Sequence, residues 1–397
     1  MASQDLDPTH GMSQLRREVV LGLASIPMLM ASTPSFASNK QNPALAPDGR
    51  WNPKRSWFFS MALVEWADAD TWAPFPKKGR KDLVLRESFR IIGVPDSQIV
   101  MVMDKEATRK RVRKQLIATL SKAQPGDFLW FHYSGHGWKG RDGMYLVPYD
   151  NDGKTNRGFK ETAYKLSALL EDIEQHFRGS HALLTGDCCH SGQMAIVAPN
   201  RKGPVSFGAI TSSLSSEVST GNWTFTNSLI DGLTGYGPVD LDRDGGIDLS
   251  EIAKYSLHAM AFEEEQLGSF DFASSFPKKT DITKVLSASE KGIGRQVEVQ
   301  RQDTWQKAIV SEIRSNGDVR VRIAQTEKAL DKWFPTDRIR EFAIKKIPKG
   351  TRVEVKLKGK WIKGTVLAEK LGIHHVRFDG EHKDDDEWVS SKRIRVA

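Results

Sequence analysis

The residues best suited to covalent chemistry are two adjacent cysteines, Cys188 and Cys189, the only cysteines in 397 residues. A disulfide framework requires cysteines that are separated in sequence, so this pair indicates a reactive thiol instead. A thiol attacks a carbonyl as the thiolate and therefore needs a nearby base. His136 is a suitable base, because Gly135 and Gly137 on either side let the backbone turn sharply and approach a substrate closely.

Two neighbouring residues are alternatives for the nucleophile and the base. Side chains alternate between faces in extended backbone, so Cys188 is predicted to point away from Cys189 and into the core. His190 directly follows the nucleophile, and adjacent side chains point apart, which favours His136 as the base. The backbone N–H groups of Gly137 and Cys189 are then natural donors to the oxyanion that forms on the attacked carbonyl.

Both segments follow strand-like runs in a region where strands and helices alternate. Residues 127–133 lead into the histidine segment, and residues 182–185 lead into the cysteine segment. The alternation over about residues 55–285 predicts an α/β fold with a mostly parallel sheet and helices on both faces. In such sheets the functional site lies beyond the carboxyl ends of the strands, where both segments are found.

Residues 132–137 (HYSGHG) and 187–192 (DCCHSG) resemble the catalytic segments of caspase-like cysteine peptidases, and more closely those of metacaspases and their bacterial relatives. This resemblance implies a caspase-like fold and a cysteine-type endopeptidase with Cys189 as nucleophile, His136 as base and Gly137 in the oxyanion hole. The Gln-Ala-Cys sequence of true caspases is missing, so cleavage after aspartate is not implied. One alternative is a catalytically silent caspase-like scaffold whose C-terminal region binds a partner. A second is a cysteine hydrolase or transamidase on the same scaffold that does not cut internal bonds.

The same resemblance implies a peptide or protein substrate cut after Arg or Lys. Asp187 lies two residues before the nucleophile and therefore on the same face, where a carboxylate would pair with a basic side chain. In metacaspases an acidic residue on the first helix also lines this pocket, and Asp82 is the matching residue. The alternative for Asp82 is a helix-start charge that the macrodipole favours.

A second pattern, residues 240–251 (DLDRDGGIDLSE), matches the calcium-binding loop of the EF-hand. Acidic residues occupy positions 1, 3, 5, 9 and 12 of such a loop, and a glycine occupies position 6. The alternative is a turn followed by a helix N-cap. No second loop of this kind is visible in the sequence, and no other cofactor is expected. The Ca²⁺ ligands that this pattern predicts are Asp240, Asp242, Asp244, Gly246, Asp248 and Glu251.

The region from about residue 293 onward contains an internal repeat. Val297 and Trp305 are separated by the same 8 positions as Val353 and Trp361 in the second copy. Alternating apolar residues and glycine-containing turns predict two small all-β barrels, at residues 293–343 and 347–397. The two copies resemble tandem Tudor/Agenet-like barrels. The repeated tryptophans are expected to fill the barrel cores. The alternative, which the resemblance to Tudor barrels implies, is an aromatic cage that binds a methylated side chain.

The basic character of the chain is concentrated in this repeat. Residues 295–397 contain 24 Lys and Arg against 16 Asp and Glu, which accounts for the whole formal net charge of +8. We therefore expect the barrels to bind an anionic polymer or a protein partner. The alternative is a basic surface that only improves solubility.

The first 37 residues resemble a Tat-like export signal. Arg16 and Arg17 precede an apolar stretch at residues 19–31, and Ser35 and Ala37 are small residues where a signal peptidase would cleave. The apolar stretch is shorter than the about 18 residues needed to span a bilayer. The alternative is a basic amphipathic helix. The expectation is an exported, periplasmic or extracellular protein without a membrane span in its mature chain, in which residues 38–54 form a linker to the peptidase domain at residues 55–285.

Overall fold

The structure of the chain is a computed structural model that describes residues 51–286, 292–324 and 331–397. The predicted export signal and nearly all of the predicted linker lie outside these residues. Within the described ranges, no helix is both long enough and apolar enough to cross a membrane.

The first part of the chain alternates between strands and helices, as the sequence pattern predicts. We call this part the α/β unit. Its elements, in chain order, are β1 (Ser56–Ala62), α1 (Lys81–Ile91), β2 (Ile99–Met103), α2 (Arg109–Leu120), β3 (Phe128–Ser134), β4 (Gly137–Gly140), β5 (Gly143–Leu146), α3 (Asn156–Thr162), β6 (Tyr164–Lys165), α4 (Leu166–His176), β7 (His181–Asp187), α5 (Gly192–Val197), β8 (Ser206–Thr211), α6 (Thr224–Leu233), β9 (Gly246–Asp248), α7 (Leu249–Ala259), β10 (Ser269–Phe272) and β11 (Asp281–Lys284).

Six of these strands form the central sheet, in the order β10-β8-β7-β3-β1-β2. The strands are parallel except for β10, which runs antiparallel to β8. The register places Ala62, Ser134 and Asp187 side by side at the carboxyl ends of β1, β3 and β7. The residues that follow β3 and β7 therefore emerge at the same edge of the sheet.

Helices cover both faces of the sheet, because side chains along its strands alternate between two cores. Phe58 and Trp130 pack in the core that α1, α6 and α7 complete, whereas Phe59 and Phe131 pack in the core that α2 and α4 complete. Strands β1 and β3 are buried at every position, which explains their almost continuous apolar sequence. The predicted fold class, a mostly parallel sheet with helices on both faces, is confirmed.

Two small antiparallel sheets of five strands follow, here called the first and second β module. In both modules the first strand lies between the second strand and the last strand. The second strand has a bulge after Val310 in one module and after Val366 in the other. This shared topology confirms the repeat, whereas the likeness to Tudor/Agenet barrels stays a prediction. The strands are β12 (Gln296–Arg301), β13 (Thr304–Ile313), β14 (Val319–Ile323), β15 (Asp331–Phe334) and β16 (Ile339–Glu341), then β17 (Arg352–Leu357), β18 (Lys360–Lys370), β19 (Ile373–Phe378), β20 (Glu387–Val389) and β21 (Ile394–Val396).

The repeated tryptophans at the start of β13 and β18 do not fill the module cores, so that prediction was wrong for them. The cores consist mainly of valine, isoleucine and phenylalanine side chains. Trp305 and Trp361 are instead 36% and 39% exposed. The cause is the register: Trp305 pairs with Gln300, and Trp361 pairs with Lys356. Cross-strand partners share a face, and these partners lie on the outer face because the valines next to them in β12 and β17 point inward.

Both β modules contact the α/β unit just beyond α7. This helix continues as a π-helical turn over Met260–Glu264. Lys307 of the first module donates a hydrogen bond to the Phe262 carbonyl oxygen (2.5 Å) and pairs with Glu265 (3.2 Å). Lys392 of the second module pairs with the same Glu265 at 2.9 Å. One carboxylate of the α/β unit therefore contacts both modules.

Candidate active site

The backbone brings the histidine and cysteine segments into direct contact. A Cβ atom built on Gly137 would lie 2.1 Å from the Cys189 carbonyl oxygen and 3.0 Å from the Cys188 sulfur, so only glycine fits there. Gly135 turns the chain out of β3 with a φ of 152°, and its N–H donates to the Asp187 carbonyl oxygen at 3.3 Å. The two segments singled out in the sequence thus meet at one edge of the sheet.

The hairpin that follows β3 leaves the Gly137 N–H group outside its hydrogen-bond ladder. Strands β4 and β5 are antiparallel, and Gly137 lies opposite Leu146. The preceding pair is hydrogen-bonded, since the Val147 N–H donates to the His136 carbonyl oxygen at 3.2 Å. Bonded and non-bonded pairs alternate in an antiparallel ladder, so the Gly137 N–H is directed away from β5. An N–H group can donate to a substrate oxyanion only if it is not engaged by the neighbouring strand, and the Gly137 N–H meets this condition.

An aromatic cluster and one carbonyl hold the His136 ring. The ring centroids of Trp66, Phe75 and Trp72 lie 4.4, 4.7 and 5.5 Å from it. The His136 Nε2 atom is 2.9 Å from the Ala73 carbonyl oxygen. A carbonyl can only accept, so Nε2 carries the proton and Nδ1 carries the free lone pair. Burial lowers the pKa of His136, against the opposing effect of the Ala73 hydrogen bond, so the ring is neutral at neutral pH.

The Cys189 sulfur accepts a hydrogen bond from the backbone N–H of Ser219 at 3.2 Å. A donor at this position stabilises a thiolate. Within the described residues, no hydrogen bond joins this sulfur to the His136 ring. Catalytic hydrogen bonds often tighten only when a substrate binds, so the arrangement is compatible with a base and nucleophile pair.

The two alternative residues are both engaged elsewhere. Cys188 is only 2% exposed in the core, as alternation predicts. Burial, together with the neighbouring Cys189 and Asp187, raises the pKa of the Cys188 thiol well above its usual value, which keeps it protonated. The His190 ring lies 3.3 Å from the Ser215 carbonyl oxygen, and burial lowers its pKa. The buried, protonated Cys188 thiol therefore lacks the setting of a nucleophile, whereas His190 stays an alternative base.

Asp187 is half-buried as a whole residue, but its carboxyl group is enclosed by the protein. Desolvation raises the pKa of this carboxyl to about 7, although a hydrogen bond from the Thr226 hydroxyl (2.6 Å) opposes the rise. The nearby Glu264 carboxylate adds to the increase. A carboxylate that is poorly solvated in the folded protein would gain from a cationic partner.

Asp82 already has a cationic partner within the protein. Its side chain is fully buried and pairs with Arg80 at 2.5 Å, and Arg80 also pairs with Asp104 at 2.5 Å. Within the described structure, no hydrogen bond joins Asp82 to Asp187. Asp82 does lie in the first turn of α1, which agrees with the helix-start alternative.

The predicted metal ligands divide into two groups. The oxygen atoms of Asp240, Asp242 and Asp244 lie within 4.8 Å of one another, and Gly246 follows at the start of β9. Asp248 and Glu251 instead form a reciprocal capping box at the start of α7, which is the alternative considered for this sequence.

Comparison with known proteins identifies the domain that carries this site. The sequence model described as the metacaspase, peptidase C14 domain matches residues 90–197, a range that includes both His136 and Cys189. Over residues 90–197 the α/β unit therefore matches the caspase-like metacaspase family, and the unit is here called the metacaspase domain. The β modules lie outside the matched residues.

Curated metacaspases from two organisms are similar to the metacaspase domain. Metacaspase-7 of Arabidopsis thaliana is 27% identical over 137 residues, which cover 29% of this chain and 32% of that protein. Metacaspase III c of Phaeodactylum tricornutum is 30% identical over 115 residues, which cover 25% of this chain and 32% of that protein. Metacaspase-8 of Arabidopsis thaliana is 28% identical over 114 residues, which cover 26% and 28%. The matches span about a third of the relatives' own length.

Several contacts in the metacaspase domain were not found from the sequence. The Ala73 carbonyl and the Ser219 N–H are backbone groups, which any residue could supply, so residue identity carries no signal for them. The aromatic cluster left a weak signal, because Trp66, Trp72 and Phe75 are concentrated in the irregular segment that follows β1.

Proposed function

We propose that the metacaspase domain is a cysteine endopeptidase that cleaves after Arg or Lys, with Cys189 as nucleophile and His136 as base. The observation that carries the proposal is the fixed orientation of His136. Its Nε2–H group is engaged by Ala73, so the basic nitrogen is Nδ1, on a segment whose backbone contacts Cys189. The lowered pKa of His136 keeps this nitrogen free to accept a proton at neutral pH.

In the proposed reaction, the Cys189 thiol transfers its proton to Nδ1 of His136, and the sulfur attacks the substrate carbonyl carbon. Negative charge develops on the carbonyl oxygen, where the N–H groups of Gly137 and Cys189 would stabilise it. The C–N bond then breaks, and His136 returns the proton to the leaving amine. Water hydrolyses the resulting thioester and regenerates the thiol. The Ser219 N–H supports the thiolate form before attack.

Asp187 is the residue that we propose for the recognition of Arg or Lys. Its carboxyl group is enclosed, and within the described residues no ion pair compensates it. A guanidinium or ammonium group of a substrate would stabilise the ionised form and lower the pKa of this carboxyl from about 7. Asp82 is a weaker candidate, because Arg80 already compensates its charge.

The decisive experiment is a cleavage assay on the purified full-length chain. Internally quenched peptides with Arg, Lys, Asp or Ala before the cleaved bond should be cut after Arg and Lys only. Cys189→Ala should abolish the cleavage. A wild-type protein that cuts none of these peptides would favour the catalytically silent scaffold, and release of terminal residues alone would contradict an endopeptidase.

For the β modules we propose an anionic polymer as the ligand. Support comes from the net charge of +8 of residues 295–397 and from a repeated surface pair. Arg340 lies 4.2 Å from the Trp305 ring, and Arg395 lies 4.0 Å from the Trp361 ring. Heparin, used as a general polyanion, should bind the full chain in a salt-dependent manner and bind the variant Trp305→Ala/Trp361→Ala more weakly. Equal binding by both proteins would contradict a role for these pairs.

We also propose that residues 1–37 direct export through a Tat-like route. The support is the arginine pair Arg16 and Arg17 ahead of a short apolar stretch. A fusion of residues 1–54 to a folded reporter should reach the periplasm of a bacterial host. The substitution of both arginines by lysine should keep the reporter in the cytoplasm. Export that does not depend on these arginines would contradict the route.

A further inference from the structure

The loop between α6 and α7 is folded into a cradle of carboxylates. The ligand atoms of Asp240, Asp242 and Asp244 lie within 4.8 Å of one another. Gly245 has a φ of 88°, a left-handed conformation that favours glycine, and its N–H donates to Asp240 Oδ2 at 3.2 Å. The Gly246 N–H donates to Asp244 Oδ1 at 2.8 Å. These bonds fix the loop in the conformation that keeps one carboxylate oxygen of each aspartate close to the other two.

One carboxylate oxygen in this cluster is buried without compensation. Asp240 is only 4% exposed, and its Oδ1 atom has no hydrogen-bond partner among the described residues. A buried carboxylate oxygen without a partner is costly, and such groups are normally paired or bound to a metal. The unpartnered Oδ1 atom of Asp240 is therefore evidence that does not depend on the acidic pattern, and it points to a cation at the centre of the cluster.

The six positions predicted from the sequence do not all face this centre. The Glu251 carboxylate accepts hydrogen bonds from the N–H groups of Leu241 (2.8 Å), Asp242 (3.2 Å) and Asp248 (3.0 Å). The Asp248 carboxylate accepts from the Glu251 N–H at 2.8 Å and pairs with Lys279 at 3.0 Å. These two residues brace the loop instead of supplying free ligand oxygens.

A further acidic residue comes from a different strand. Asp281 lies on β11, which pairs with β9, and its carboxylate lies against Gly246: a Cβ there would be 2.6 Å from both oxygens. Its closeness to Asp242, Asp244 and Asp248 contributes to a raised pKa, after burial as the main cause. The sequence pattern gave no indication of Asp281, because it lies 30 positions after Glu251, the last residue of that pattern.

We propose that residues 240–246 bind one divalent cation of the calcium class through Asp240, Asp242, Asp244 and the Gly246 carbonyl. Asp281 adds negative charge from the adjacent strand, and Glu251 acts as a brace. All four ligands supply oxygen atoms, and three of them lie on a loop, which suits the larger and geometrically tolerant Ca²⁺ better than Mg²⁺. The site is independent of the proposed peptidase reaction.

The bound cation would strengthen the connection between the α/β unit and the first β module. It would hold β9 against β11, the last strand before that module. The segment just before the loop also contacts the module, where the Arg322 guanidinium lies 3.9 Å from the Tyr236 ring. Arg322 forms an ion pair with Asp231 of α6. Cation binding should therefore slow amide exchange in β9 and β11.

The test is calcium titration of the full chain after removal of metals, followed by titration calorimetry. We expect one Ca²⁺ per chain and weaker binding of Mg²⁺. Asp242→Asn/Asp244→Asn changes two exposed side chains, so the variant should fold, and its affinity should fall at least about tenfold. Asp281→Asn should weaken binding less. Asp303→Asn, an exposed acid in the first module, is the matched control and should bind as the wild type does.

Three results would overturn the proposal. These are absence of Ca²⁺ binding at millimolar concentration in the wild type, equal affinity in Asp242→Asn/Asp244→Asn, or a preference for Mg²⁺. Hydrogen–deuterium exchange provides a readout besides affinity. Ca²⁺ should slow exchange in peptides covering β9 and β11 in the wild type but not in the double variant. Unchanged exchange in the wild type would overturn the role in the connection.

Discussion

The Cα atom of Gly137 lies so close to Cys189 that a Cβ there would stand 2.1 Å from the Cys189 carbonyl oxygen. The contact joins backbone to backbone, so no rotamer change on either side could relieve a clash. The position of the residue before Gly137, the proposed base, is therefore coupled directly to that of the nucleophile.

This contact predicts that Gly137→Ala separates the two segments. A displacement of about 1 Å between catalytic groups can cost about 10²-fold in rate, so kcat/KM should fall by at least about that factor. Gly140→Ala is the matched control in the same strand, because a Cβ there would meet first the flexible Asp142 carboxylate, at 2.9 Å. Steady-state kinetics and melting temperatures of both variants provide the check. Wild-type kcat/KM in Gly137→Ala would contradict the coupling.

The two adjacent cysteines should behave differently towards substitution and alkylation. Cys189→Ala should lose all peptidase activity, whereas Cys188→Ala should keep most of it and lose about 1 kcal/mol of stability from the small cavity. Brief treatment of the native protein with iodoacetamide should label Cys189 alone, because burial keeps Cys188 protonated and enclosed. Mass spectrometry of the labelled peptide identifies the site. Equal labelling of both thiols would contradict the assignment.

The raised pKa of Asp187 predicts a pH-dependent specificity. Below pH 7 the carboxyl is protonated in the free enzyme and attracts a basic side chain weakly, whereas above pH 7 it is ionised. The ratio of kcat/KM for an Arg substrate to that for an Ala substrate should therefore rise as the pH increases through about 7.

Asp187→Asn is the variant that tests this specificity. It should remove the pH dependence of the ratio and lower kcat/KM for the Arg substrate about 10²-fold at pH 8. If Asp187 is only a structural residue, the variant will be more stable at pH 8 but will keep the wild-type substrate ratio. Thr226→Val, which removes the hydroxyl that bonds to Asp187, should change the ratio less.

The sequence was most informative where side-chain identity and strand order determine position. The strands before His136 and Cys189 are buried on both faces, and their apolar runs could be recognised directly. Parallel neighbours in a sheet deliver their next residues to one edge, so two motifs about 50 positions apart could be placed together. The structure confirms this placement, because Ser134 at the end of β3 lies opposite Asp187 at the end of β7.

The remaining features depend on groups or partners that a linear pattern does not encode. The carbonyl of Ala73 acts on His136 from a loop 63 positions earlier, and any residue there could provide it. The ion pair between Asp82 and Arg80 depends on the backbone path into α1, which the identity of the acidic residue does not reveal. The outward position of Trp305 follows from its partner in β12, which requires the hairpin register.

The loop after β8, residues 212–223, supports the Cys189 site through its backbone. The Ser219 N–H donates to the Cys189 sulfur at 3.2 Å. The Glu217 carbonyl oxygen accepts from the His190 N–H at 2.8 Å, directly after the nucleophile. A shift of this loop would therefore change the hydrogen bond to the Cys189 sulfur.

The same loop contacts the second β module. Leu214 packs against a cluster that contains Ile373 of the module. The Glu217 carboxyl is partly buried, and its Oε1 atom has no hydrogen-bond partner among the described residues. Burial, with the Glu387 carboxylate of the module as a second cause, raises the pKa of Glu217 to about 7. Ionisation of Glu217 should therefore weaken the contact between loop and module.

The sign of this effect can be predicted. The folded protein keeps the Glu217 proton up to about pH 7, the raised pKa of this carboxyl, whereas the unfolded chain loses it near the usual glutamate pKa of 4.5. Glu217 should therefore lower the free energy of unfolding as the pH rises from 4.5 to 7, by on the order of 3 kcal/mol, with no further change above pH 7. Glu217→Gln cannot ionise, so it should match the wild type near pH 4.5 and be more stable by a similar amount at pH 8.

Urea unfolding from pH 5 to 8 provides the measurement, and Glu381→Gln, which changes an exposed residue of the second β module, is the control. If the free energy of unfolding changes with pH in the same way in wild type and Glu217→Gln, Glu217 stays solvated in the folded protein. Its ionisation then does not affect the contact between the loop and the second β module.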